Sequence, residues 1–152
     1  MLFMNLLNIP QFAMNILDWR NKLKEYHGEQ KEILKEDHLQ YLKNRVSTKE
    51  HDIFLAFEPI GRITVSNKTK KSCEIGVDMN PDFVNQGYGT KMMNEILESL
   101  KNKFVNIYLF VREDNERAIH FYKKVGFSIT NDRVTVSKNE EQYNEKRMEL
   151  VR

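Results

Sequence analysis

A short loop combines two glycines with a predicted helix start. Between an alternating segment that ends at Met79 and a segment of helical period, the chain reads Asn85, Gln86, Gly87, Tyr88, Gly89 and Thr90. Glycines let a backbone turn tightly and approach a ligand closely. The first turn of a helix adds free N–H groups and the positive end of its dipole. Together these features favour binding of a pyrophosphate.

The loop does not complete either common nucleotide-binding motif. Met92 stands where the dinucleotide fingerprint needs a third glycine, and the Gly-Lys-Ser/Thr end of a P-loop is missing. An ordinary turn from a strand into a helix would show the same Gly-X-Gly pattern. The loop alone therefore leaves both a ligand cradle and a plain turn open.

A second candidate pair, Asn115 and Tyr122, lies in another segment of helical period. The two residues are seven positions apart, about two helical turns, so both would project from one side of a helix. Asn115 can cap the start of that helix. Taken alone, the pair is explained by a cap and a tyrosine at the edge of the core, and this structural explanation is favoured.

The histidines and the single cysteine indicate neither a metal site nor a nucleophile. His27, His38, His51 and His120 lack the spacing of metal ligands, and one cysteine cannot build a cysteine-rich zinc site. Cys73 has no histidine nearby in sequence, so a buried small side chain is favoured over a nucleophile. We therefore expect no metal and no covalent acyl-enzyme.

Length and composition predict one domain over residues 1–152. Lys and Arg number 24 against 22 Asp and Glu, a net charge of +2 that argues against a dedicated nucleic-acid binder. A single cysteine allows no intrachain disulfide, which favours a reducing compartment. The first positive charge is Arg20, and Asn5 and Asn8 interrupt the apolar start, which argues against a signal peptide. No segment reaches membrane-spanning length, so we expect a cytoplasmic protein.

Hydrophobic periodicity predicts an α+β domain of mixed α/β order, with an antiparallel front half and a βαβα unit behind it. The alternating segments on either side of 67–71 predict a hairpin. We expect 104–112 to be a strand covered on both faces, and 138–147 to be a solvated loop. The predicted strands are 2–7, 51–58, 62–66, 73–79, 104–112, 127–130, 133–137 and 147–151, and the predicted helices are 11–25, 36–45, 90–101 and 115–124.

Two segments, in this order of elements, resemble the GNAT superfamily of acyl-CoA-dependent N-acetyltransferases. They read EIGVDMNPDFVNQGYGT over 74–90 and NERAIHFYKKVGF over 115–127. The segment YNEKRMEL over 143–150 looks like the last strand of that superfamily. WRN at 19–21 and EDHL at 36–39 look like the branch of ribosomal-protein, spermidine and amino-sugar acetyltransferases, and within it like the enzymes that act on nucleotide-linked amino sugars.

The resemblance implies a GNAT-like fold, a central and mostly antiparallel mixed sheet flanked by helices, and a coenzyme site. In the superfamily the strand that would end at Met79 is splayed from the next strand, and coenzyme A lies in the gap. The resemblance then implies that backbone groups of Val77, Asp78 and Met79 bind the pantetheine arm and the acetyl carbonyl. It places the pyrophosphate on 85–90 and the pantetheine region near Asn115.

The resemblance also implies a general acid, and leaves the general base open. Tyr122 would lie near the coenzyme sulfur and protonate the departing thiolate, as a positioned proton donor can. Some relatives carry a glutamate base at the position of Phe110, so that base is absent here. Glu74 is the nearest substitute, acting through water. A carboxylate paired to a neighbouring Lys or Arg is the slightly favoured alternative for Glu74.

We therefore expect an acetyl-CoA-dependent N-acetyltransferase that transfers the acetyl group directly to a primary amine in a ternary complex. The branch resemblance favours a nucleotide-linked amino sugar, with a protein N-terminus, a polyamine and an aminoglycoside left open. A non-catalytic acyl-CoA sensor of the same fold is the alternative function. We expect acetyl-CoA and the amine as partners, no nucleic acid or membrane, and a monomer or a homodimer.

Overall fold

The computed structural model describes residues 1–24, 31–46, 51–57, 59–138 and 140–151. Within them, a sheet of seven strands in the order β1-β2-β3-β4-β5-β7-β6 carries helices on both faces. The strands are β1 (Leu2–Asn5), β2 (Asp52–Phe57), β3 (Gly61–Ser66), β4 (Ser72–Met79), β5 (Asn106–Arg112), β6 (Phe127–Lys138) and β7 (Glu141–Leu150). The α-helices are α1 (Ala13–Lys22), α2 (Lys35–Val46), α3 (Tyr88–Lys101) and α4 (Glu116–Lys124).

One neighbouring pair of strands in this sheet, β4 and β5, is parallel, and all the others are antiparallel. The parallel pairing covers only Ser72 with Asn106, Cys73 with Ile107 and Glu74 with Tyr108. Beyond these pairs, the described residues of β4 and β5 make no further ladder with each other. The splayed pair that the resemblance implied is therefore present, and the gap opens toward the carboxyl ends of both strands.

Two apolar clusters fasten the helices to the sheet. On one face, α3 and α4 pack on the centre of the sheet, because the helical spacing of the apolar residues in α3 puts them all on one side. Five of these are buried: Met92, Met93, Ile96, Leu97 and Leu100. On the other face, α1 and α2 cover the β1–β2 end, where Trp19 and Leu42 pack on Ile53 and Leu55.

Two sequence predictions hold in this architecture, the 67–71 hairpin and the burial of Cys73, and Trp19, His38 and Gly126 also take structural positions. The 67–71 hairpin is the antiparallel β3–β4 pair. Cys73 is a fully buried core residue and Trp19 belongs to the core. His38 is structural, since it is 1% exposed and its Nε2 lies 2.8 Å from the carbonyl oxygen of Ala13. Gly126 follows α4 with a φ of +107°, the left-handed conformation of a glycine that ends a helix.

The N-terminal predictions need correction. The expected buried strand over 2–7 stops at Asn5, whose side-chain oxygen accepts from the backbone N–H of Leu7 and caps a 3₁₀ turn. As an edge strand β1 leaves Leu2 60% exposed. The helix expected from residue 11 begins at Ala13, because Pro10 starts a separate 3₁₀ turn over Pro10–Phe12. Its predicted end at residue 25, like His27 and Glu58, lies outside the described residues.

The C-terminal prediction of a solvated loop over 138–147 was wrong. Most of this segment belongs to β7, which pairs with β6 from Phe127–Leu150 out to Lys138–Glu141, with an irregularity between Ile129 and Arg133. The sequence analysis missed this strand because its charges have both signs and it carries little apolar alternation, while the outer part of β6 beside it is largely exposed.

The prediction that β5 is covered on both faces was also wrong. Ile107, Leu109 and Val111 are buried, whereas Tyr108 and Phe110 on the alternate positions are only partly buried. A strand places alternate side chains on opposite faces, so the face of β5 that carries Tyr108 and Phe110 is covered less completely than the face that carries Ile107, Leu109 and Val111.

In the part of the chain that the structure describes, no helix is long and apolar enough to cross a membrane.

Candidate active site

A cavity of about 1090 Å³ opens where β4 and β5 diverge. It brings together most of the residues that the sequence singled out. Those that line it are Val77, Asp78, Met79, Asn85, Gly87, Gly89, Thr90, Asn115 and Tyr122. Gln86, Tyr88 and Glu74 are not among its lining residues. The two motif segments, separated in sequence by β5, thus meet around one space.

The 85–90 loop turns the chain from β4 into α3 with its glycines at the two tight places. Gly87 precedes α3 with a φ of +83°, and Asn85 is also left-handed at +58°. Arg117 of α4 donates from Nη2 to the Oδ1 of Asn85 at 2.6 Å, which ties the loop to the next helix. A Cβ at Gly89 would lie 3.3 Å from the Sδ of Met79, so this helix start packs closely on β4.

Two members of the loop face away from the cavity. Gln86 donates from Nε2 to the carbonyl oxygen of Asp82 at 2.9 Å. Tyr88 is 37% exposed and packs edge-on against Phe83, with ring centroids 5.2 Å apart. The amide end of α3 therefore meets the cavity through Gly87, Gly89 and Thr90. Free amides at a helix start suit an anion, and pyrophosphate is one.

Asn115 and Tyr122 both lie on the cavity side of α4. The Oδ1 of Asn115 accepts from the backbone N–H of Ala118 at 3.1 Å, which confirms the predicted N-cap. Tyr122 packs between Phe121 and Phe127, with centroid distances of 5.5 and 6.0 Å. Burial first, and then the negative charge of Asp78, raises the pKa of Tyr122 above that of a free phenol. The phenol accordingly stays protonated at neutral pH and can donate.

Glu74 lies before the point of divergence, on the part of β4 that still pairs with β5. Its Oε2 accepts from the side-chain Nδ2 of Asn67 at 2.6 Å. The partner seen for Glu74 is thus an amide across the hairpin rather than the Lys or Arg considered from sequence. Glu74 lies outside the cavity lining, and its role as a base acting through water stays a prediction.

A buried ion pair on the cavity wall was missed by the sequence analysis. Arg62 of β3 is 3% exposed and Asp78 is 6% exposed. The guanidinium donates from Nε to Asp78 Oδ2 at 2.7 Å, and Nη2 contacts the same oxygen. Burial alone would lower the pKa of Arg62, but the charges of Asp78 and Tyr41 and the hydrogen bonds to both together outweigh burial, and the pKa is raised.

A second arginine completes this charge cluster. The Nε of Arg20, on α1, lies 3.4 Å from Asp78 Oδ1. The predicted hairpin placed the strands of Arg62 and Asp78 side by side, but its register was not predicted, and only the observed register sets the two residues directly opposite each other. The contribution of Arg20 depends on how α1 packs over β4, which no local pattern encodes. Among the described residues, no group of three or more metal-ligating side chains lies together.

Comparison with known proteins agrees with this geometry. A family model described as the acetyltransferase (GNAT) family matches residues 15–127. Acetyltransferase PseH of Campylobacter jejuni subsp. jejuni serotype O:23/36 (strain 81-176) is 33% identical over 127 residues, which cover 75% of each chain. The chain belongs to the GNAT acetyltransferase family. As a GNAT protein it is an acetyl-CoA-dependent N-acetyltransferase.

Solved structures share the GNAT fold found here. A chimera of the spermidine N-acetyltransferase SpeG from Vibrio cholerae with hSSAT has a TM-score of 0.73 and 19% identity, covering 93% of this chain and 90% of its own. Spermidine N-acetyltransferase from Vibrio cholerae in complex with CoA and spermine has a TM-score of 0.72 and 18% identity, covering 92% and 89%. The predicted fold class is confirmed.

The buried ion pair predicts a specific stability pattern. Arg62→Met leaves Asp78 buried beside one remaining arginine, and breaking a buried pair by removing one partner costs about 3–5 kcal/mol. We expect a loss near the lower end of that range in urea unfolding, and partial recovery in Arg62→Met with Asp78→Asn. Arg117→Met, at an exposed arginine, is the matched control and should change stability by no more than about 0.5 kcal/mol. Equal losses for Arg62→Met and Arg117→Met would contradict the role of the pair.

Proposed function

We propose that this GNAT protein moves the acetyl group from acetyl-CoA directly to the primary amine of a nucleotide-linked amino sugar. One observation carries the proposal. The cavity at the β4–β5 divergence joins an unpaired strand edge, a helix start suited to phosphate and a protonated tyrosine. These are the three parts that a long, phosphate-bearing thioester requires.

The coenzyme would lie along β4 and end at α3. One edge of β4 pairs with β3 as far as Met79, whereas the opposite edge has lost β5 beyond Glu74. Backbone groups alternate between the two edges of a strand, so those in 77–79 that point away from β3 can bond the pantetheine arm and the acetyl carbonyl, as a β-strand edge bonds an added strand. This refines the expectation for Val77, Asp78 and Met79, since not all three can face the coenzyme. The 85–90 loop would bind the pyrophosphate through its N–H groups.

Transfer would proceed in one complex, without an acyl-enzyme. The amine nitrogen attacks the thioester carbonyl carbon, a C–N bond forms, and the C–S bond breaks with its electron pair on sulfur. Tyr122 gives its proton to that sulfur. A backbone N–H at the carbonyl oxygen stabilises the tetrahedral charge. Cys73 is fully buried in the core, away from a role as nucleophile.

The charge of the cavity supports an acceptor that carries phosphate. Among the described residues that line it, seven are Lys or Arg and four are Asp or Glu. One of the carboxylates, Asp78, is already held by Arg62 and Arg20. A polyamine would need free carboxylates, whereas a nucleotide would gain from the excess of cations. Tyr41, Phe110 and Tyr143 add aromatic surface to the same lining, and arginine guanidinium groups lie over the rings of Tyr41 and Tyr143.

An amine panel tests the proposed acceptor. With acetyl-CoA in excess, free thiol is followed with UDP-glucosamine, spermidine, an aminoglycoside and a peptide with a free N-terminus. We expect the highest kcat/KM with UDP-glucosamine, because its phosphates meet the cavity cations. A higher kcat/KM for spermidine would overturn the acceptor proposal. Calorimetric binding of acetyl-CoA with no thiol release from any amine would instead support a sensor.

Tyr122→Phe tests the general acid. The substitution keeps the ring between Phe121 and Phe127 and removes only the proton. Since general acid catalysis contributes about 10²–10⁴-fold and a thiolate leaves readily unaided, we expect kcat to fall by about 10²-fold with the KM for acetyl-CoA little changed. Steady-state kinetics on the best amine measures this. A kcat within about twofold of wild type, with chemistry rate-limiting, would show that water protonates the thiolate.

A further inference from the structure

The proposed transfer leaves one proton unassigned. A primary amine is largely protonated at neutral pH, since an alkyl ammonium titrates near pH 10. A nitrogen without a free lone pair cannot attack a carbonyl carbon. A group on the cavity wall must therefore take that proton, and it must be a carboxylate or imidazole that is not already held by a cation.

Three of the four carboxylates on the described lining fail this requirement. Both oxygens of Asp78 are already engaged, Oδ2 by Arg62 and Oδ1 by Arg20. Glu141 accepts from Arg112 at 3.2 Å through Oε1. Glu140 is exposed in the β6–β7 turn, where proton transfer from a bound amine would compete with water. His120 is an imidazole on the described lining, but it is exposed and fails on the same ground as Glu140. The group that remains is Glu145.

Glu145 lies in the middle of β7, opposite Arg112 of β5. Because alternate residues of a strand share a face, it projects on the same side as Tyr143, which also lines the cavity. On β5 the same face carries Phe110, the position that the resemblance gave to a glutamate base. The Glu145 carboxylate therefore lies on β7, one strand away from the Phe110 position on β5.

The surroundings of Glu145 raise the pKa of its carboxyl group. Burial first, and then the negative charge of Glu74 on β4, raises its pKa above that of a free glutamate. Arg112 of β5 and Lys138 of β6 act in the opposite direction, and the net shift is upward. A carboxylate with a raised pKa in a cleft is a stronger base than one on the surface.

We propose that Glu145 is the general base of this enzyme. The inference rests on the proposed transfer and adds the residue that starts it. The ammonium gives one proton to the Glu145 carboxylate, and the freed lone pair attacks the carbonyl carbon. As C–S breaks, Tyr122 protonates the sulfur, and the second proton leaves the nitrogen for the phenolate of Tyr122. Amide and thiol are released, and Glu145 returns its proton to water. Glu74, which touches no substrate, acts only through its charge on Glu145.

Glu145→Gln is the direct test, with Glu149→Gln as the matched control. Glu149 lies on the same strand and is not part of the cavity lining. Its Oε1 accepts a hydrogen bond from the Nε of Arg147 at 3.0 Å. At pH 7, with UDP-glucosamine or the fastest amine of the panel, we expect kcat to fall by about 10²-fold in Glu145→Gln. Calorimetric affinity for acetyl-CoA and the melting temperature should remain near wild type in both variants.

The pH profile separates a base from a merely structural residue. Without the base, kcat should rise about tenfold per pH unit as free amine accumulates, so that the deficit shrinks as the pH approaches the pKa of the amine that is used. A structural defect would give a deficit that does not change with pH. Wild-type turnover with an unchanged kcat in Glu145→Gln would reject Glu145 and keep the proposed function. Absence of wild-type turnover on every amine would reject the proposed function, and the base with it.

Discussion

The divergence of β4 from β5 is the constraint on which the rest of the site depends. Three residue pairs hold the two parallel strands together, and the ladder then stops. Backbone donors and acceptors need partners, and past Glu74 those on one edge of β4 face a cavity instead of a strand. The flanking antiparallel pairs keep this gap in place, since β3 supports β4 along its length and β7 supports β5. A ligand that presents amide groups can complete the interrupted sheet.

The charges around the gap divide the proposed chemistry between two sides. Near α4, the charge of Asp78 and burial keep Tyr122 protonated, while two arginines keep Asp78 itself from serving as a base. On the β7 side, Glu74 acts in the same sense on Glu145. Burial and neighbouring negative charge raise both pKa values, so that Tyr122 stays a proton donor and the Glu145 carboxylate becomes a stronger base than a free glutamate.

Local patterns predicted the parts of the site that single segments encode. Gly87 takes a left-handed conformation before α3, and Asn115 caps the start of α4. Both features follow from residue type and local position, so the sequence was enough to predict these turns. Arg62 and Glu145 owe their importance to partners on other strands, and burial of a charge depends on the whole assembly. The segment around Glu145 reads as a solvated loop, because the exposed β6–β7 hairpin alternates charges rather than apolar residues. Its role becomes visible only with the register against β5.

Amide hydrogen exchange with and without saturating coenzyme A tests the central claim, that the coenzyme completes the interrupted edge of β4. We predict slowed exchange in peptides that cover 75–79 and 85–90, where backbone amides that face the cavity would gain hydrogen bonds to the coenzyme. Exchange in the β6–β7 turn should stay unchanged. Saturated binding with no slowing in 75–79, or slowing confined to other segments, would contradict the account.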